Sequence, residues 1–233
     1  MVVKELVSEQ DMMKFLDEAY KKVLDGIPRV SPPVKTLAED YLKKHKTKEE
    51  ACKSMMKNQI IKCTTSGAIA GFGGLITLPV TLPANIANVL YVQMRMIACT
   101  AYMAGYELNS DQTQTFVYAC LAGVAVNQLL KKVGIKIGEK IFDNLIDKIP
   151  GRVLNAINKK VGMRLLTKYG TKGAINLGKL IPGVGAAIGG GLDFFETKII
   201  ANRAYKWFFE NNLEINDDTE EDIIIEAEAR LDD

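Results

Sequence analysis

Apolar residues recur at helical spacing from one end of this chain to the other, and almost nowhere in the alternation that a strand needs. Ser8-Glu-Gln-Asp11 opens a first helix that places Leu16, Tyr20 and Val23 on one stripe, and Gly26-Ile-Pro28 stops it. Ser31-Pro-Pro33 marks a linker, after which Val34–Lys44 reads as a short amphipathic helix. Thr47-Lys-Glu-Glu50 is a capping box, in which hydroxyl and carboxylate satisfy free amides reciprocally; its helix is predicted to run to about Lys62. Further helices are predicted over about Ala84–Gly105, Asp111–Lys132, Val133–Asp147 and Arg152–Tyr169, with a last one ending near Phe209. The 233 residues suffice for one core. The expected fold is all-α: a single multi-helix domain over 31–212 with glycine-rich helical segments, an N-terminal helical extension over 1–30 and an acidic C-terminal tail over 213–233.

Charge is distributed unevenly along these helices. Leu213–Asp233 holds ten acidic residues and one basic, Arg230, which leaves 29 basic and 18 acidic groups in the rest. From Lys148 to Lys179 there are eight basic residues and no acidic one: Lys148, Arg152, Lys159, Lys160, Arg164, Lys168, Lys172 and Lys179. In the helix predicted over Arg152–Tyr169, Leu154, Ile157, Val161 and Leu165 face inward and most of the cations lie elsewhere on the circumference. A basic face of this kind suits an anionic membrane surface; a plainly solvated face is the alternative. Nucleic acid is disfavoured, since no helix-turn-helix or RNA-binding module is evident and aromatics are sparse among the basic residues. The tail carries Ile223-Ile-Ile225, which could dock on the body and bring its acids over the basic face.

Leu180–Gly191 is uncharged and glycine-rich, and Ser66–Leu82 is small and apolar. Gly67-x3-Gly71 and Gly185-x3-Gly189, with Gly183, read as positions where helix backbones approach closely; a membrane-inserting hairpin is the other reading. Gly173-Ala-Ile-Asn-Leu-Gly178-Lys179-Leu180 falls short of a phosphate loop, because Leu180 stands where a magnesium-binding hydroxyl is needed and no strand precedes it. Gly183-Val-Gly185-Ala-Ala-Ile-Gly189 likewise lacks the βαβ setting of a dinucleotide site. Cys52, Cys63, Cys99 and Cys120 show no ligand spacing and read as reduced thiols, and His45 is the only histidine. The residues therefore assign no metal, no cofactor and no catalytic residue. No secretory signal is read at the N-terminus, so a cytoplasmic protein is expected. No segment reads as a transmembrane helix; Ala84–Gly105 is long enough but carries Arg95 at its centre, with Asn85, Asn88 and Gln93, and reads as an amphipathic core helix.

Two blocks carry a family resemblance. Leu82-Pro-Ala-Asn-Ile-Ala-Asn-Val-Leu-Tyr-Val-Gln-Met-Arg95-Met-Ile, followed by Ala104-Gly-Tyr106, resembles the leucine-proline, helix, arginine, Gly-Tyr block of the EcsC family. Ile181-Pro-Gly-Val-Gly185-Ala-Ala-Ile-Gly189-Gly-Gly-Leu-Asp193 is similar to that family's second, proline–glycine-rich signature, and the likeness spans roughly Val30 to Phe209. The resemblance implies an all-helical fold in a bacterial family named after a locus that also encodes an ABC transporter. It implies no defined activity. Where the family often has an acidic residue before its leucine-proline, Thr81 stands here.

Arg95, Asp193, Glu196 and Arg203 are the remaining charges of interest. Asp193, Glu196 and Arg203 fall within about 80° of arc on one helix, and a buried Arg95 would need a carboxylate, with Asp193 or Glu196 the candidate. A structural ion pair, a pocket for a ligand headgroup and a general acid/base pair all remain open for this cluster. The expected function is that of a non-enzymatic, peripheral membrane-associated or lipid-interacting protein on the inner face of the cell membrane. The alternatives are a protein-interaction adaptor, with a protein partner, and a hydrolase using Asp193 or Glu196 with Arg95. The sequence leaves the oligomeric state open.

Overall fold

A computed structural model describes residues 8–64, 84–135, 146, 148–169 and 185–213, with side chains over the same residues except 64, 84, 85 and 185–193. Eight helices occupy them: α1 (Glu9–Asp25), α2 (Val34–Leu42), α3 (Lys48–Thr64), α4 (Ala84–Ala104), α5 (Asp111–Ala122), α6 (Val126–Lys132), α7 (Gly151–Tyr169) and α8 (Gly185–Phe208). Extended pairing among the described residues is confined to an isolated bridge between Ile27 and Ser31 in the α1–α2 turn. The fold is all-α.

Helix ends follow local chemistry. At α1 the Ser8 hydroxyl accepts from the Asp11 amide at 3.1 Å, and the Asp11 carboxylate accepts from the Ser8 amide at 3.1 Å, which closes a capping box. The Glu50 amide likewise donates to Thr47 Oγ1 at 3.1 Å, while the Glu50 carboxylate reaches back to the Lys46 amide rather than to that of Thr47.

The helix predicted over Asp111–Lys132 is two helices. Gly123 adopts a left-handed backbone, φ 68°, and its amide returns to Ala119 and Cys120, which ends α5; α6 begins at Val126. The basic helix α7 starts one residue earlier than expected, at Gly151. Most of the helix expected over Val133–Asp147 lies outside the described residues, as do Gly67, Gly71, Gly183, Lys172, Lys179 and the tail from residue 214.

The core is built around α4, which packs against α1, α2, α3, α5 and α8. Enclosure by five neighbours overrides the amphipathic reading of this helix: Asn88, Gln93, Arg95 and Thr100 are buried along with Leu90, Met94, Ile97 and Ala101. Polar groups enclosed in this way need partners. Gln93 donates to Thr197 Oγ1 of α8 at 3.0 Å, and Thr100 donates to the Met96 carbonyl at 2.9 Å. The first helix contributes Met12, Phe15, Leu16, Ala19, Tyr20 and Val23 to the same core, and Tyr20 donates to the Leu108 carbonyl at 2.8 Å. Leu213, the last described residue, is buried against it as well.

Candidate functional site

α7 lies along the flank of the bundle on α1, α5 and α6. It buries Val153, Leu154, Ile157, Val161, Gly162, Leu165 and Tyr169. Gly162 permits the close approach of α1, since a Cβ there would stand 2.7 Å from Glu9 Cγ and 3.4 Å from Met13 Cγ. Orienting the inward residues this way turns Arg152, Lys159, Lys160 and Arg164 outward, all four exposed. At 100° per residue they span about 140° of the circumference. Met163 projects from within that arc and is 53% exposed, with Ala156 and Thr167, also exposed, beside it. Lys148, in the turn before α7, is exposed too. The outward surface of α7 is thus cationic with an apolar centre, and none of its four cations takes part in an ion pair among the described residues.

Lys168 is differently engaged. Its ammonium lies 3.0 Å from Glu196 Oε1 of α8, and the neighbouring Tyr169 hydroxyl donates to the same oxygen at 2.6 Å. Glu196 therefore ties α7 to α8. The proposed partnership of Glu196 with Arg95 does not occur, because that carboxylate is already held by a cation and a phenol on the opposite neighbour. The Asp193 side chain lies outside the described residues.

Arg95 sits in the middle of α4 and is 4% exposed. Its Nη2 donates to the Pro32 carbonyl at 2.9 Å, and Nε is buried with no partner among the described residues. Burial holds its pKa below the ordinary guanidinium value. Arg203 occupies a third location: Nη1 donates to the Cys120 carbonyl at 2.8 Å and the guanidinium lies 3.2 Å from where a Cβ on Gly123 would stand. A cation on the last carbonyls of α5 complements the negative end of that helix. Of the four charges read as one cluster, Arg95, Glu196 and Arg203 therefore serve three separate junctions.

A polar cleft of about 160 Å³ opens between α1, α5 and the start of α7, lined by Asp17, Asp111, Gln114, Thr115, Tyr118, Gly151, Leu154, Asn155 and Asn158. Asp17 Oδ1 accepts from Gln114 Nε2 at 3.0 Å and from the Tyr118 hydroxyl at 2.9 Å. Burial and the Asp17 charge both raise the Tyr118 pKa. Sequence reading missed this network, since its members lie far apart in the chain and each is ordinary alone. Met163 was missed too, although the wheel that faces Leu154 and Ile157 inward places it outward. Among the described residues no group of three metal-ligating side chains converges, and no helix is long and apolar enough to cross a membrane.

No curated protein and no solved structure matches the chain. The model of the EcsC protein family matches it over residues 7–208, from the start of α1 to the end of α8. This span contains the central helix with Arg95 and the whole of the cationic helix, and the chain belongs to the EcsC protein family.

Proposed function

We propose that this chain is a non-enzymatic, peripheral membrane-associated or lipid-interacting protein that meets anionic surfaces through the outward face of α7. The observation that carries this reading is the joint exposure of Arg152, Lys159, Lys160 and Arg164 around Met163, in a stretch of sequence with no acidic residue from 148 to 179. Each cation near an anionic leaflet contributes about 1 kcal/mol. Four together give about 4 kcal/mol, close to millimolar affinity. Insertion of a half-exposed methionine adds about 1 kcal/mol more. The attachment is weak, reversible and sensitive to salt. The cytoplasmic face of the cell membrane is the place we assign it, where anionic lipids concentrate and cysteines outside disulfides, as all four are here, stay reduced.

Co-sedimentation with vesicles tests the reading. The protein should pellet with phosphatidylserine-containing vesicles at low salt and stay in the supernatant with pure phosphatidylcholine. The combined substitution Lys159→Glu, Lys160→Glu, Arg164→Glu should abolish pelleting without lowering Tm, because all three side chains are exposed. Equal pelleting of the variant would refute the role of α7. Absence of pelleting by the native chain would leave capture of a protein partner as the better account.

A further inference from the structure

Arg95 is a buried cation that forms no ion pair among the described residues. The one ion pair among them, Lys168–Glu196, lies elsewhere. The carbonyl that does meet Arg95, that of Pro32, stands just before α2, so the guanidinium sits at the positive end of that helix. The α2 N-terminus has Pro33 as its N-cap, with no side-chain cap and no acidic residue in its first turn. A second cation is near: Lys62, at the end of α3, is held below its ordinary pKa first by partial burial and then by the charge of Arg95. Segment 65–83, which joins α3 to α4, contains no acidic residue. Arg95 is costly to bury, with a guanidinium Nε that has no partner among the described residues, and it, the exposed Lys62 and the positive helix N-terminus repel one another. A compact anion of about two charges removes each of these penalties at once.

We propose that Arg95, Lys62 and the uncapped N-terminus of α2 bind a phosphate-class oxyanion, supplied either as a lipid headgroup phosphate or as free phosphate. Arg95 supplies a planar fork of donors, Lys62 a mobile point charge, and α2 the amides of its first turn. The site is separate from the outward face of α7 and does not depend on it.

Thermal unfolding of the full chain in a phosphate-free buffer tests the proposal, with sodium phosphate titrated against sodium chloride of equal ionic strength. Phosphate at about ten times its Kd should raise Tm by roughly 3–6 °C, and chloride should not. Lys62→Ala, an exposed position, should keep the fold and weaken the apparent affinity about tenfold. Arg95→Met should abolish the response, and its Tm without phosphate should equal or exceed that of the native chain, because an uncompensated charge has left the interior. A strong loss of Tm in Arg95→Met, restored by adding Asp193→Asn, would place the counter-ion within the chain and overturn the proposal. So would an absent phosphate response in the native chain together with an inert Lys62→Ala. Vesicles separate the two sources. If Lys62→Ala lowers pelleting with phosphatidic acid but not with phosphatidylserine, the ligand is a lipid phosphomonoester. If it alters only the response to free phosphate, the ligand is the soluble ion.

Discussion

The absence of one side chain sets how α1 lies on α7. At Gly162 a Cβ would meet Glu9 Cγ at 2.7 Å, Met13 Cγ at 3.4 Å and the Glu9 carbonyl at 3.5 Å. The nearest of these atoms belongs to a side chain that can swing aside, so Gly162→Ala should be close to neutral: the gain in helix propensity, about 1 kcal/mol, offsets the adjustment. Gly162→Leu has no such escape, since its branched end must displace the α1 backbone. We expect a loss of about 2–3 kcal/mol, read as a lower denaturation midpoint, with the alanine variant as the control. Equal midpoints for both variants would show that the two helices separate at little cost. The glycine patterns singled out in the sequence, x3 spacings in two apolar segments, did not identify this position. Gly162 has no glycine at that spacing, and its role depends on which residue of α1 arrives opposite, a fact of tertiary geometry alone. Glu196 was misassigned for the same reason. Its helical phase beside Asp193 and Arg203 is real, yet Lys168 and Tyr169 approach from another helix and take the carboxylate first.

At the scale of the element, α7 was the most legible part of the chain. Leu154, Ile157, Val161 and Leu165 are buried as their spacing requires, and Arg152, Lys159, Lys160 and Arg164 are exposed. A helix packed on one side obeys its own periodicity. The central helix α4 does not, because five neighbours enclose it and its polar residues find hydrogen bonds inside, as Gln93 does with Thr197. Its sequence shows which residues are polar but not that both faces are covered. Met163 gives α7 a prediction of its own. If it enters the interface between headgroups and acyl chains, Met163→Ser should weaken binding to anionic vesicles about fivefold, the loss of about 1 kcal/mol of apolar transfer. That fraction should persist at high salt, unlike the effect of reversing the lysines. Titration of both variants at two ionic strengths separates the contributions. A Met163→Ser effect that vanishes with salt would mean that the methionine stays outside the lipid.

At the scale of the whole molecule, the interior holds thiols and phenols in their neutral forms, and this sets the alkaline limit of the fold. All four cysteines are buried and none is in a disulfide. Burial pushes the Cys52 and Cys120 thiols up to about 12 from an ordinary value of 9.0, and moves Cys99 in the same direction. Tyr20, Tyr91 and Tyr118 are raised as well, from 10.0, mainly by burial. As pH rises past 9 the unfolded chain begins to release these protons while the folded chain retains them. The folded state then binds more protons than the unfolded, so stability must fall. What these groups contribute is complete below pH 9 and is lost as pH climbs toward 12, at up to about 1.4 kcal/mol per unit for each fully divergent group. The denaturation midpoint should therefore begin to drop near pH 9 and steepen above 10, where the phenols join. Replacing Cys52, Cys99 and Cys120 together by alanine should lower stability at neutral pH, through lost packing, yet flatten the decline between pH 9 and 10. Thiol titration provides the independent check: a disulfide reagent at neutral pH should modify the native protein only as fast as it opens, and all four thiols at once in denaturant. An unchanged slope in the triple variant would assign the alkaline limit to surface repulsion instead of the buried thiols.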